Sequence, residues 1–294
     1  MKRGILSLAV VLLLAPPCFA QYTFTTLDYP GGVETRLIGA NDQFDIVGAY
    51  RVPGGVRHAM LFSKGRFTPL DPDGILGSNL SGALQINNRG DIVGYYAIGS
   101  QRHGFLLRDG IVTTVDYPGS SYTQVNGISD TGVMIGQFRD ASGHYHGYVL
   151  RDGTFEQLDY PGALDTFPYY MNARGDIAGE WDPNLAVLGH GFLLKKDGEW
   201  FSFDVPGARA DSTFAIGVND HEQILGLYTE PSGHNRGFIV DGRDIRLGAF
   251  TLFDLPGVSG VPETMNNAGE FVGYYSDGRV IHGFVATPIP GRDR

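Results

Sequence analysis

One sentence is written six times in this chain, and that repetition limits the possible folds more than any other feature. The phrase LDYPG occurs at Leu27–Gly31 and Leu158–Gly162, with VDYPG at Val115–Gly119, FDVPG at Phe203–Gly207 and FDLPG at Phe253–Gly257. LDPDG at Leu70–Gly74 is a degraded copy. The six aspartates, Asp28, Asp71, Asp116, Asp159, Asp204 and Asp254, are 43, 45, 43, 45 and 50 residues apart. A second phrase follows each one, from ANDQFDIVGAY in the first unit to MNNAGEFVGYY in the last. A third begins with a histidine: His58, His103, His146, His190 and His282, with Arg236 in its place in the fifth unit.

Each unit holds four short apolar or aromatic runs separated by turn residues. In the third unit these fall near 111–116, 123–128, 133–138 and 146–150. Asn, Asp and Gly clusters such as NNRGD and LRDG suit tight hairpins. No run has helical periodicity of useful length. Glycine for turns (43 residues) and 12% aromatics fit many short strands. Four strands in about 40–50 residues is the mark of a propeller blade. The expected fold is therefore all-β, a six-bladed β-propeller with four-stranded blades. A β-solenoid is the alternative, with shorter turns and a need for capping ends. The chain after its leader starts with one lone strand-like run at Thr23–Tyr29 and ends with three. The N-terminal strand is thus expected to complete the last blade and close the ring, leaving no free sheet edge. The six repeats begin near 23, 66, 111, 154, 199 and 250.

Residues 1–20 carry Lys2 and Arg3, an apolar stretch from Ile5 to Ala15 and small residues up to Ala20. This pattern is a signal peptide cleaved after Ala20, and its apolar part is too short to span a bilayer. The expected organisation is a leader at 1–20, a propeller at 21–288 and a tail at 289–294, in a secreted or periplasmic protein. APPC around Cys18 lacks the pattern of a lipidated cysteine. Cys18, the one cysteine, leaves with the leader, so no disulfide is expected. The remaining chain has 20 Lys+Arg against 32 Asp+Glu. Such an acidic balance argues against nucleic acid or anionic lipid as partner. No membrane anchor is expected in the mature chain, and a monomer is expected.

The signal peptide, LDYPG, the INN-x-GDIVG pattern and the HGF triplets together resemble the HAF-repeat family of bacterial extracellular proteins. The copies here read HAM, HGF, HGY, HGF, RGF and HGF. The resemblance covers essentially the whole chain after the leader. It implies an exported repeat protein with a propeller fold, and no defined reaction.

Five groups of residues are candidates for function. The histidines His58, His103, His146, His190 and His282 lie one per unit, too far apart to share a metal ion. The recurring aspartates Asp28, Asp116, Asp159, Asp204 and Asp254 can accept their ring N–H, so these residues are expected to brace the blades, as in WD-repeat propellers. His144, His221 and His234 fall outside the register. The NNRGD turns carry too few carboxylates for a calcium loop, and Asx capping explains them better. No cofactor is expected, with Ca²⁺ as a lesser alternative and no metal assigned. The RGD strings at Arg89–Asp91 and Arg174–Asp176 follow from the repeat. The aromatics ending each second strand are Tyr50, Tyr96, Phe138, Trp181, Tyr228 and Tyr275. They are ligand-binding candidates if exposed, since flat apolar faces stack on sugars. If buried, they are packing between blades. Four acids, Glu34, Asp165, Glu180 and Glu263, together with Asp211, interrupt the repeat near the variable connections. Two of them at suitable spacing are capable of cleaving a glycosidic bond.

The connections from fourth strand to first and from second to third vary in length, and in a propeller they emerge on one face. That face is where a binding site is expected. The function that follows is a non-enzymatic binding or surface-interaction module for carbohydrate or protein. The alternative is a glycan-cleaving enzyme, hydrolase or lyase, and a third reading is a purely structural repeat. No Ser-His-Asp order, phosphate loop or H-E-x-x-H string is present.

Overall fold

A computed structural model describes residues 22–70, 82–184 and 189–289. The leader expected at 1–20, Cys18, Asp71 and residues 290–294 lie outside the described residues. The protein is all-β, with twenty-four strands among those residues and one short 3₁₀ turn at Ile245–Leu247.

Strand β1 (Tyr22–Thr26) stands alone at the start. The first sheet is β2 (Glu34–Ala40), β3 (Ile46–Arg51), β4 (Arg57–Ser63) and β5 (Arg66–Pro69), joined to the last sheet by a single parallel pair, Glu34↔Ile281. The second is β6 (Gly82–Ile86), β7 (Ile92–Ile98), β8 (Gln101–Arg108) and β9 (Ile111–Val115). The third is β10 (Thr123–Ile128), β11 (Met134–Arg139), β12 (Tyr145–Arg151) and β13 (Thr154–Leu158). The fourth is β14 (Asp165–Met171), β15 (Ile177–Asp182), β16 (His190–Leu194) and β17 (Trp200–Phe203). The fifth is β18 (Thr213–Val218), β19 (Gln223–Thr229), β20 (Asn235–Asp241) and β21 (Thr251–Phe253). The sixth is β22 (Ser259–Met265), β23 (Phe271–Ser276) and β24 (Ile281–Pro288), with β1 antiparallel to β24 from Tyr22↔Pro288 to Thr26↔Phe284. Below, A to D denote the first to fourth strand of each sheet.

The core is divided between the sheets. Val47 and Ala59 of the first sheet cluster with Ala83, Ile92 and Phe105 of the second. The same sharing joins the second to the third through Val93, the third to the fourth through Ile135, the fourth to the fifth through Ala178 and the fifth to the sixth through Leu225. Val272 of the sixth sheet completes a cluster with Leu37, Ile46 and Met60 of the first. The last letter of each HAF-like triplet lies in these clusters: Met60, Phe105, Tyr148, Phe192, Phe238 and Phe284 are all 0% exposed. Each such side chain contributes roughly 1.5–3 kcal/mol of burial.

The glycines of the repeat have steric causes. Every A strand has a bulge, for instance between Ala83 and Gln85 or between Val125 and Gly127. The bulge presses an A-strand carbonyl onto the B strand, and a Cβ on Gly94 would collide with the carbonyl oxygen of Gly82. The glycine of each HGF packs against the next sheet: a Cβ on Gly104 would meet Val125 of the third sheet at 2.8 Å. At the C–D hairpins, Asp109 and Gly110 have φ of 51° and 77°, and Asp152 and Gly153 have 50° and 77°. Two consecutive positive φ values match the hairpin turn that Asp-Gly favours.

Candidate functional site

The LDYPG turn is a clasp between neighbouring sheets. Its aspartate stays with the sheet it leaves: His103 Nδ1 lies 2.8 Å from Asp116, His146 Nδ1 3.0 Å from Asp159 and His190 Nδ1 2.9 Å from Asp204. In the fifth sheet Arg236 Nε replaces the ring at 2.9 Å from Asp254. His282 Nδ1 reaches Asp28 at 2.7 Å, across 254 residues of sequence. The expected partner of His58, Asp71, lies outside the described residues. The tyrosine of the phrase crosses to the next sheet. Tyr29 stacks on Tyr50 at 3.6 Å, Tyr117 on Phe138 at 3.5 Å and Tyr160 on Trp181 at 4.3 Å. Its backbone N–H donates to a threonine at the start of that sheet, as Tyr29 does to Thr35 and Tyr117 to Thr123.

The B-strand aromatics form the middle of these stacks. The histidine of each unit covers them in turn, at 5.5 Å for Tyr50–His58, 5.2 Å for Tyr96–His103 and 5.3 Å for Phe138–His146. Tyr50, Tyr96, Phe138 and Tyr228 are buried, which removes them as sugar-stacking candidates. Trp181 and Tyr275 are half-buried, beneath His190 at 4.7 Å and His282 at 5.0 Å.

The candidate acids do not form one constellation. Glu34 is buried and accepts from Arg36 Nε at 2.7 Å, Arg51 Nε at 3.0 Å and Arg57 Nη2 at 2.6 Å. Burial pushes its carboxyl up, but the hydrogen bonds from Arg51 and Arg36 and the charge of Arg57 outweigh that and hold it below its ordinary value. A carboxylate so occupied is a poor catalytic acid or base. Asp211 lies 3.3 Å from His190 Nε2. Glu263 stands apart from the others. Burial raises its carboxyl to about 8 against the opposing charge of Arg36.

Asp165 and Glu180 do meet another carboxylate, Asp182, in the fourth sheet. Asp165 and Asp182 are opposite each other in the β14–β15 register, and Glu180 is two residues along the same face. Asp165 accepts the Tyr145 N–H at 2.7 Å, while Glu180 accepts from the Tyr169 hydroxyl and the Gly189 N–H. Burial, and then the charges of Asp182 on Glu180 and of Asp165 on Asp182, hold the Glu180–Asp182 pair above the ordinary carboxylate range. The pair therefore titrates as a unit. Gly189 makes the arrangement possible, because a Cβ there would intrude on both carboxylates.

An aromatic arc on the variable-connection side leads to this pair. Arg102 lies between two rings, 4.2 Å from the centre of Tyr95 and 4.6 Å from that of Tyr122. It donates to the Tyr122 hydroxyl at 2.7 Å and to Gln124 Oε1 at 2.8 Å. The arc continues edge-on from Tyr122 to Tyr145 at 5.3 Å, then to Phe167 at 5.3 Å and to Tyr169, which bonds Glu180. Tyr95, Tyr122, Tyr145, Phe167 and Tyr169 are all half-buried. An amide relay, half-buried Gln124 to buried Asn126 and Gln137, lies alongside. None of these residues was singled out from the sequence, although the signal was present. Tyr95, Gln137 and Glu180 hold one register position, opposite Gly82, Gln124 and Phe167, where the repeat has no consensus.

Below the arc, Ile38, Leu84, Asn126, Tyr169, Ile216 and Glu263, one from each A strand, line a cavity of about 80 Å³. The A–B turns ring its other end. Asn87 Oδ1 caps the N–H groups of Arg89 and Asp91, an Asx arrangement repeated at Asn172, Asn219 and Asn266. A larger groove of about 480 Å³ separates the second and third sheets, between Leu106, Val115, Met134 and Phe155. Of the two arginines that line it, Arg89 and Arg108, the latter donates to Asp91 at 2.8 and 2.9 Å. Among the described residues no group of three or more His, Cys, Asp or Glu side chains is placed to hold a metal ion. No described helix is long and apolar enough to cross a membrane.

No protein-family model matches the chain, and no curated protein matches it. Solved structures do. TolB from Acinetobacter baumannii superposes with a TM-score of 0.57 at 12% identity, over 83% of this chain and 64% of that one. The chain thus spans less than two thirds of that protein's length. AofleA from Arthrobotrys oligospora superposes with a TM-score of 0.56 at 10% identity, over 94% of this chain and 91% of that one. The fold is a β-propeller. At these identities the likeness extends to the fold alone.

Proposed function

We propose that this chain is an exported binding module of the HAF-repeat type, a closed six-bladed propeller that holds a saccharide at the mouth of its channel on the face of the variable connections. The pairing of β1 with β24 and the cluster shared by the sixth and first sheets support the closure and the blade count. The leader pattern at 1–20 supports export to the periplasm or beyond.

The observation that carries the binding reading is the arc from Tyr95 and Arg102 through Tyr122 and Tyr145 to Tyr169. It combines half-buried rings with planar polar groups, and flat apolar faces beside fixed donors and acceptors are what sugar rings require. It occurs in one sector, so it is not explained by the packing that all six units share. Titration of a neutral and acidic oligosaccharide panel into wild type and Tyr122→Ala tests it. Binding that weakens at least about ten-fold in the variant, with the melting profile retained, supports the reading. A protein partner captured instead, with no saccharide bound, overturns it.

A second reading, glycan cleavage, rests on the Glu180–Asp182 pair. A carboxyl held protonated beside a second carboxylate can serve as a general acid. Release of reducing ends by wild type but not by Glu180→Gln would replace the binding module with an enzyme.

A further inference from the structure

Glu34, Arg51 and Arg57 are direct register partners across β2, β3 and β4, and Arg36 is two residues along from Glu34. Three guanidiniums therefore meet one carboxylate at the start of β2. The carboxylate is shielded, with its side chain 3% exposed, while Arg36, Arg51 and Arg57 keep 28%, 44% and 26% exposure. The local balance is two positive charges in excess, in a chain with a net charge of −10.

The donors are not exhausted by Glu34. Arg51 gives it Nε, and no other described acceptor engages its two terminal nitrogens. Arg57 gives it Nη2, while its Nε is sealed from solvent and is not offered to a ligand. Arg36 lies 4.4 Å from the centre of the Tyr274 ring, which places a flat aromatic next to the charge. Glu263 is the other carboxyl that acts on Arg36, and its own burial favours the uncharged form, so it does not cancel the excess.

We infer that the Arg36–Arg51–Arg57 cluster is an anion subsite that selects a carboxylate-bearing saccharide, such as an otherwise neutral oligosaccharide that ends in one uronate. The inference rests on the binding reading above and names its ligand class. Guanidinium forks match carboxylates in plane and spacing. An excess of positive charge on an otherwise acidic protein attracts anions to that place in particular. In the six-sheet ring, the first sheet lies three steps from the fourth in either direction, so the channel mouth is basic on one side and acidic on the other. A ligand anionic at one end and hydroxylated along its length fits both sides.

Calorimetric titration with a galactose trisaccharide that ends in one galacturonate, and with its all-neutral galactose counterpart, decides the matter. The expected result is binding at least about ten-fold tighter for the galacturonate. That preference should shrink in about 0.5 M salt and vanish in Arg51→Ala. Arg51→Met, which keeps most of the unbranched stem without the charge, serves if Arg51→Ala melts early. Equal binding of the two sugars, unaltered in either variant, overturns the anion subsite and leaves the binding reading standing. Failure of every saccharide, charged or neutral, overturns the binding reading and the subsite with it. A polyglutamate peptide that binds as well as the galacturonate overturns the saccharide assignment.

Discussion

The first and fourth sheets occupy the same register on the side of the variable connections and carry opposite chemistry there. Where the first has Glu34 facing Arg51, the fourth has Asp165 facing Asp182. Where the first has Arg36 facing Ala49, the fourth has Phe167 facing Glu180. In the third strand Arg57 stands opposite Arg51, while Gly189 follows the loop beside Asp182. One sheet thus surrounds a single carboxylate with three cations. The other gathers three carboxylates and supplies them with a hydroxyl and backbone N–H groups. The glycines, bulges and clasps are shared by both sheets, so that difference does not arise from the scaffold. It resides in positions the repeat leaves free.

The largest effect should come from taking the anion away from the first sheet. Glu34→Ala leaves three guanidiniums facing one another with no counter-charge, and we expect a loss of about 3 kcal/mol in urea unfolding. A loss under about 1 kcal/mol would mean that the arginines are held by solvent and that the first sheet has no organised charge cluster to compare.

The two sheets should also respond to pH with opposite signs. The Glu34 carboxyl is held below its ordinary value, so its contribution is present above about pH 4.5 and is lost as the pH falls through its folded value. The Glu180–Asp182 pair is held above that range, so the native state keeps protons that the unfolded chain has released. Stability from that sheet is full below about pH 3.8 and declines as the pH rises towards and through the folded values. Glu34→Gln should flatten the acid limb of the stability profile and Glu180→Gln the neutral limb. Guanidinium or thermal unfolding from pH 3 to pH 9 measures both, and limbs that flatten together would erase the contrast. Gly189→Ala should act on the fourth sheet alone. Its methyl group displaces flexible carboxylates rather than backbone, which limits the cost to about 1.5 kcal/mol. A change in the neutral limb with the acid limb intact is the expected signature.

The strands and clasps were legible in the sequence because they recur. A residue that appears six times in one place has one structural cause, and the burial of Phe105, Tyr148, Phe192, Phe238 and Phe284 is that cause for the HAF-like triplet. The site was legible only as an irregularity. Glu180 stood out because its neighbours in register differ, and Tyr95 carried the same signal. What no single repeat contains is convergence. Arg102 meets Tyr122 across a D–A connection, and Glu34 meets Arg57 across 23 residues and a variable loop. Those meetings depend on how adjacent sheets are splayed, which the hydrophobic pattern does not encode. Whether the B-strand aromatics stack on ligand or on protein was likewise open until the LDYPG tyrosines were seen to cover them from the preceding turn.

The contrast between the two sheets extends to the other end of the channel, and there it predicts the smallest effect. The second residue of each A–B turn alternates acid and amide around the axis: Asp42, Asn88, Asp130, then Ala173, Asp220 and Asn267. Asn88 donates to Asp42 at 3.0 Å and to Asp130 at 3.1 Å, and Asn267 donates to Asp42 at 3.2 Å and to Asp220 at 2.9 Å. Asp42 of the first sheet is therefore bonded on both sides. Ala173 of the fourth sheet interrupts the alternation, giving Asp220 only its backbone N–H at 2.9 Å and leaving no amide between Asp130 and Asp220. Ala173→Asn should restore it. Two charge-assisted bonds at a partly wetted site, less the entropy of one ordered side chain, amount to about 1 kcal/mol. For a chain of this size that is roughly 2–4 °C in melting temperature. Ala173→Asp is the paired control, since it sets a third carboxylate between the two and should lower the melting temperature instead. If the two substitutions shift it in the same direction, the turns are six independent caps. In that case the difference between the first and fourth sheets is confined to the channel mouth.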